Sequence, residues 1–332
     1  MRHATGTIPR ARRDPGHHDA VLDVPPHATP GVAPGHPRPD ARPDPDDGAA
    51  TARRRVALFV GLLAALTAVL HATGLPARSP QVGSLLTMWT PGLAALAAGV
   101  FTSRRLSAMG WRVRPARWLV VGWATPVVYA AAAYAAVWLS GLGGFGNPGY
   151  VEHGRRFFGL AGRSDGAVLA VVFGWVAVVG LAPGVVLSLG EEIGWRGFLV
   201  PELSRWLGFR RAALASGLLW AAWHLPGVLT GAYGAGPTPL GYRLACFGMM
   251  VVSTGVVLAW LRMRSGSIWP AAVMHAAHNG IIQGYLGPLT TDTGPTAYVA
   301  GEFGAALLPF TVGLAWAVWR RAGHRAGASA CA

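Results

Sequence analysis

From Arg55 onward the chain is a succession of apolar stretches, each about as long as a bilayer is thick, parted by short polar loops. Hydrocarbon offers a backbone no hydrogen-bond partner, so a chain that crosses it repeatedly folds as helices or as a closed barrel. A helical crossing takes about 20 apolar residues and a barrel strand about half that. The stretches have the helical length. They fall at roughly 56–74, 82–102, 117–140, 167–190, 211–231, 243–261, 267–285 and 299–319. The expectation is an all-α polytopic membrane protein with about eight transmembrane helices. Composition agrees, since only 13% of residues are charged, where a soluble domain has about 25%. Fourteen tryptophans suit a protein with two membrane interfaces.

Two spans carry marks of their own. Pro183 is expected to bend the fourth. His275, His278, Asn279 and Gln283 interrupt the seventh, which should therefore face an intramembrane polar chamber and not lipid.

Residues 1–54 are rich in Pro, Arg, His, Asp and Gly and poor in aromatic residues, which predicts a disordered cytoplasmic tail. They lack the layout of a signal peptide, and the His17-His18 pair reads as solvated. The transmembrane domain is expected over 55–322, with a short tail over 323–332. Every basic side chain is arginine, and the net charge is +14. The arginines sit in short loops and in the tail, so the charge reads as a topology signal and not as a nucleic-acid-binding face.

Their placement alternates. Arg53, Arg54 and Arg55 precede the first span, and Arg104, Arg105, Arg112, Arg114 and Arg117 follow the second. Arg205, Arg210 and Arg211 follow the fourth, Arg262 and Arg264 the sixth, and Arg320, Arg321 and Arg325 the eighth. The opposite loops hold Arg78, then Arg155, Arg156 and Arg163, then Arg243. Both termini are therefore expected in the cytoplasm, with the 141–166 loop as the discordant element. Cys246 and Cys331 form no CxxC pattern, so neither a disulfide framework nor a thiolate metal site is indicated.

The chemistry lies in three pairs at helical spacing. Ala167 to Gly190 contains no charge, yet Glu191 and Glu192 follow at once. One carboxylate near hydrocarbon costs about 2.5–3.5 kcal/mol, so two adjacent ones need partners and a reason to be there. Glu192 and Arg196 share a helix face at i, i+4, while Glu191 is turned about 100° away, free to point into a chamber. Trp220 and His224 are likewise one turn apart, with Pro226 allowing a bend just beyond. His275 and Asn279 form the third pair. His278, close to the same face, is the ambiguous member, and Glu302 in the last span has no comparable partner in the sequence.

Glu191-Glu192-x-x-x-Arg196, Trp220-x-x-x-His224 and His275-x-x-x-Asn279 resemble the signature motifs of the CAAX-prenyl-protease type II and bacteriocin-processing (CPBP, or Abi) intramembrane proteases. Gly194-Trp195-Arg196-Gly197-Phe198-Leu199 and Gly266-Ser267-Ile268-Trp269-Pro270 resemble the family as well, and the resemblance covers about 165–290. Family members usually carry Phe where this chain has Trp220.

The resemblance implies an eight-helix membrane endopeptidase with its site in a chamber open to the cytoplasm or membrane, acting on membrane-bound or lipidated peptide or protein substrates; the expected location is the plasma membrane. By that match, Glu191 activates water, His224 assists, His275 and Asn279 stabilise the oxyanion, and Glu192 with Arg196 orders the site. A zinc ion held by Glu191, His224 and His275 is the metallo alternative to a metal-free glutamate mechanism. Two other classes are weighed against the protease. One is a non-catalytic immunity or scaffold protein; the other is a transporter, which should show a relay across the bilayer or an inverted repeat.

Overall fold

The computed structural model describes residues 48–113 and 115–328, so the tail expected over 1–54 lies outside it up to residue 47. The described residues are predominantly helical. Helix α1 (Ala49–Ala72) is followed by the short turn α2 (Leu75–Arg78), then by α3 (Pro80–Phe101) and α4 (Ala116–Leu139). The segment corresponding to 141–166 contains α5 (Pro148–Phe157), and α6 (Asp165–Gly174) leads through a π-helical turn at Trp175–Val179 into α7 (Leu181–Glu192). A second π-helical segment, Ile193–Leu199, joins α7 to α8 (Val200–Thr230). Then come α9 (Leu240–Ser265) and α10 (Trp269–Asn279), which continues as π-helix through Gly280–Leu286. The short turns α11 (Gly287–Leu289) and α12 (Thr296–Val299) precede α13 (Leu308–Ala328). Strands β1 (Gly144–Phe145) and β2 (Thr290–Thr291) pair antiparallel, with Gly144 opposite Thr291.

Among the described residues, five helical segments are long and apolar enough to cross a membrane. They are Ala49–Ala72, Gln81–Phe101, Ala116–Leu139, the continuous Leu181–Thr230 and Leu240–Ser265. The expected spans that fall short do so for visible reasons. The fourth is divided at Trp175–Val179, where Pro183 has no N–H to offer the carbonyl of Val179 one turn earlier. The fourth and fifth run on as one helical path, and the kink between them is made by Gly208, whose φ of 69° and ψ of 166° a side chain would resist. The seventh is short and polar, as α10 and its π-helical continuation. The eighth begins only at Leu308, because Ala300–Leu307 is irregular.

Helix α1 starts at Ala49, ahead of the tail boundary expected at Arg55. Arg55 is buried, with Nη1 3.8 Å from Glu202 Oε2, so an arginine read as a loop charge is packed inside. Arg104 Nε lies 2.5 Å from Glu202 Oε1 and Arg205 Nε 3.8 Å from Oε2, which gathers the arginines of three segments on one acid. The discordant arginines of the 141–166 segment are also paired. Arg155 meets Glu152 at 3.2 Å and Asp165 at 2.5 Å, and Arg156 lies 3.6 Å from Glu152.

Small residues set the spacing of the central helices. A Cβ on Gly190 would stand 2.7 Å from the Met88 carbonyl oxygen, and one on Gly92 would stand 2.6 Å from that of Gly190. Gly194 is pressed onto Pro91 in the same way, at 2.6 Å. On the other flank, a Cβ on Gly255 would lie 3.2 Å from Gly217 Cα, which brings α9 against α8. Close approach of backbones through small residues is how helices pack where lipid removes the hydrophobic drive. It also holds the end of α7 at a fixed depth against α3. Large apolar side chains such as Phe101, Val128 and Leu139 are exposed on the outside, as lipid-facing positions should be.

Candidate active site

The end of α7 carries Glu191 and Glu192 into the middle of the bundle, 3% and 0% exposed. Their neighbours divide them. Arg196 Nη1 donates to Glu192 Oε1 at 2.9 Å, and the same oxygen accepts from His275 Nδ1 at 2.9 Å. The Arg196 guanidinium also lies over the Trp220 ring, 4.2 Å from its centroid, and is fully buried. Glu192 is thus committed to structure, clamped between the α7 helix path and α10. Buried charges persist only when paired in this way.

Glu191 has a different setting. Trp220 Nε1 donates to its Oε2 at 2.6 Å, and the carboxylate lines a cavity of about 260 Å³. His224, His275 and Asn279 line the same cavity. His224 Nδ1 donates to the Trp220 carbonyl at 2.8 Å, which fixes the tautomer and leaves Nε2 its lone pair. Trp220 therefore holds two members of the site at once, Glu191 by its ring and His224 by its backbone. Its ring meets the His275 imidazole edge-on, with centroids 5.3 Å apart. The three motifs, far apart in sequence, meet at this one place.

His275 and His278 are separated by their partners. His278 Nδ1 bonds the Tyr129 hydroxyl, and its Nε2 lies 2.9 Å from Glu302 Oε1. Glu302 Oε2 accepts from the Tyr233 hydroxyl and from Gln283 Nε2, the latter at 3.0 Å. The sequence reading that left Glu302 without a comparable partner is corrected by this network, in which the irregular Ala300–Leu307 segment brings the acid onto the chamber wall. Tyr129 and Tyr233 are not singled out by the sequence, whereas Gln283 is, as a polar residue of the seventh span. A signal for such partners is present, because the seventh span holds more polar groups than one His–Asn pair uses.

Glu191, His224 and His275, the residues named as possible zinc ligands, line the same cavity. Among the described residues, no group of three or more His, Cys, Asp and Glu side chains is arranged to hold a metal. His275 Nδ1 and His224 Nδ1 are held by protein oxygens and one Glu191 oxygen by Trp220, which leaves each Nε2 and the second carboxylate oxygen as the atoms that would face a metal.

Residues 173–281 match the family model described as type II CAAX prenyl endopeptidase Rce1-like. The matched segment contains all seven motif residues and ends before Gln283 and Glu302, in agreement with the resemblance to CPBP proteases. The match and the long apolar helices support a CAAX-type intramembrane protease and an integral membrane protein. No curated protein matches the chain.

Proposed function

We propose, taking the match to the type II CAAX prenyl endopeptidases as premise, that this protein is an intramembrane endopeptidase whose water is activated by Glu191. The observation that carries the reading is the division of labour between adjacent acids: Glu192 is tied to Arg196 and His275, while Glu191 faces the cavity with one oxygen held. A carboxylate fixed on one oxygen keeps the other as a proton acceptor of set direction.

In the proposed reaction Glu191 takes a proton from water as the oxygen attacks the scissile carbonyl carbon. His224 Nε2 helps to orient that water. The oxyanion that forms accepts hydrogen bonds from the Asn279 amide and from an Nε2–H of His275, whose Nδ1 is turned to Glu192. Donors held in place before the reaction starts cost no reorganisation during it. The proton on Glu191 then passes to the amide nitrogen as the C–N bond breaks, giving a carboxylate end and an amine end. Glu191, His224 and His275 would hold a zinc ion in the metallo alternative, where the metal would supply Lewis-acid activation of the water.

Substrates are membrane-bound or lipidated peptides and proteins, by analogy with the matched family. The arginine alternation supports a plasma-membrane protein with both termini in the cytoplasm. The test compares membrane-protein termini in cells making wild-type protein and in cells making Glu191→Ala at equal abundance. New ends are expected only with wild type. Indistinguishable ends, together with a retained protective phenotype, would favour the immunity or scaffold reading.

A further inference from the structure

We infer that Glu302 is a positioning residue for the reaction. Through the Tyr233 hydroxyl it fixes the His224 imidazole relative to α10, the helix that carries His275 and Asn279. The part His224 plays in cleavage rests on the proteolytic reading above. Its placement by Glu302 stands on contacts alone.

Glu302 is a buried acid that the reaction leaves unused. It lies outside the matched segment 173–281, is 7% exposed, and lines the same chamber as Glu191. A carboxylate accepts hydrogen bonds from several directions and donates none, so it can tie together donors from different elements. Its Oε1 accepts from His278 Nε2 at 2.9 Å, and its Oε2 accepts from Gln283 Nε2 at 3.0 Å. These two bonds anchor the acid to α10 and to the π-helical turn that continues it. His278 is itself held on its other side, where Nδ1 bonds the Tyr129 hydroxyl of α4. A further bond runs the opposite way, from the Tyr233 hydroxyl to Oε2.

That bond reaches His224. The imidazole is fixed at Nδ1 by the Trp220 carbonyl, and beyond that atom it is held by rings. Trp223 lies 4.8 Å from it between centroids, Phe247 5.1 Å and Tyr233 5.8 Å. Helix α8 ends at Thr230, before Tyr233, and the left-handed Gly231 turns the chain away from the helix axis. No helical register therefore sets the Tyr233 ring, and its hydroxyl bond to Glu302 does so instead. Phe303, the next residue, steadies the same cage. It stacks on Phe247 with centroids 4.6 Å apart and planes 7° apart, and it meets Tyr233 at 5.3 Å. Glu302 and Phe303 thus hold two of the rings around His224, one by a hydrogen bond and one by stacking.

The consequence is geometric. His224 stands on α8, whereas His275 and Asn279 stand on α10, and attack requires both sets at the right distance from one carbonyl. A misplacement of about 1 Å costs up to about a hundredfold in rate. Glu302 is the point at which the cage around the first is tied to the helix of the second.

The experiment uses the full-length protein in detergent micelles and diethyl pyrocarbonate, which acylates an unprotonated imidazole nitrogen. Mass spectrometry reads the labelling rate of each histidine. Glu302→Ala and Tyr233→Phe should each speed the labelling of His224 about tenfold, because losing a charge-assisted hydrogen bond frees the ring that covers it. His71, half-buried on the same chamber and bonded to Thr67, should keep its wild-type rate in a folded variant. Where Glu302→Ala speeds His71 as well, Tyr233→Phe carries the comparison. The double variant should label no faster than Glu302→Ala, because both changes remove the same bond. Glu302→Gln, whose amide oxygen can still accept from Tyr233, should stay within about threefold of wild type. In cells at equal abundance, Tyr233→Phe should lower the yield of Glu191-dependent ends about tenfold. Unchanged labelling of His224, additive effects in the double variant, or a full yield of ends would overturn the inference. Faster labelling of His224 in a protein whose wild type makes no Glu191-dependent ends would leave its placement by Glu302 standing and remove the protease reading instead.

Discussion

Trp220 is the residue on which most of the site converges, since its indole holds Glu191, its carbonyl holds His224 and its ring covers Arg196. A phenylalanine here, as the family resemblance leads one to expect, would cover Arg196 without donating an N–H to Glu191. Hydrogen bonds to charged groups contribute about 1.5–3 kcal/mol. Trp220→Phe is therefore expected to slow cleavage by about tenfold while leaving the protein in the membrane at normal abundance. An unchanged rate would show that Glu191 needs no such anchor. The spacing in the sequence made the local part of this legible: Glu192 with Arg196, Trp220 with His224, His275 with Asn279. What spacing could not reveal were partners from other helices, because they depend on how helices rotate and cross. The bond from His275 to Glu192 spans 83 residues, and those from His278 and Gln283 to Glu302 bridge a helix and an irregular segment.

Among the elements, two of the three π-helical segments sit where the chemistry does. Ile193–Leu199 begins directly after Glu192, and Gly280–Leu286 directly after Asn279. Such turns re-aim the side chains around them and recur at functional sites. Helical length was legible in the apolar runs, but the π turns were not, because they answer to packing and not to local preference. The register of the first of them against α3 is set by Gly190 and Gly194. A Cβ on Gly194 would meet Pro91 backbone carbon at 2.7 Å, where nothing flexible can yield. Overpacking of this kind costs about 1–3 kcal/mol. Gly194→Ala should lower the unfolding temperature in detergent micelles and also reduce cleavage per folded molecule, because moving this turn moves both acids. A loss confined to stability would separate the crossing from the site.

Across the whole molecule, charge organises what hydrophobicity alone leaves open. The apolar runs gave an all-helical membrane protein, but a fifth boundary, an eighth start and the burial of Arg55 were hidden from hydropathy. Arg55 and Arg104 read as loop charges until Glu202 is seen between them. Breaking a buried ion pair from one side costs about 3–5 kcal/mol. Glu202→Gln should accordingly lower abundance and thermal stability, read by unfolding in micelles, with little effect on the rate per folded molecule. A stable variant would mean that the arginines find other partners.

The Glu192–Arg196 pair has a consequence for how the chain is made. Its two members leave the ribosome four positions apart, whereas His275 is synthesised 83 residues after Glu192. The acid thus enters the bilayer with its counter-charge alongside, on the same turn, and does not wait for a helix not yet translated. Arg196 is in this sense a chaperone in cis, which makes the fourth span insertable before the enzyme around it exists.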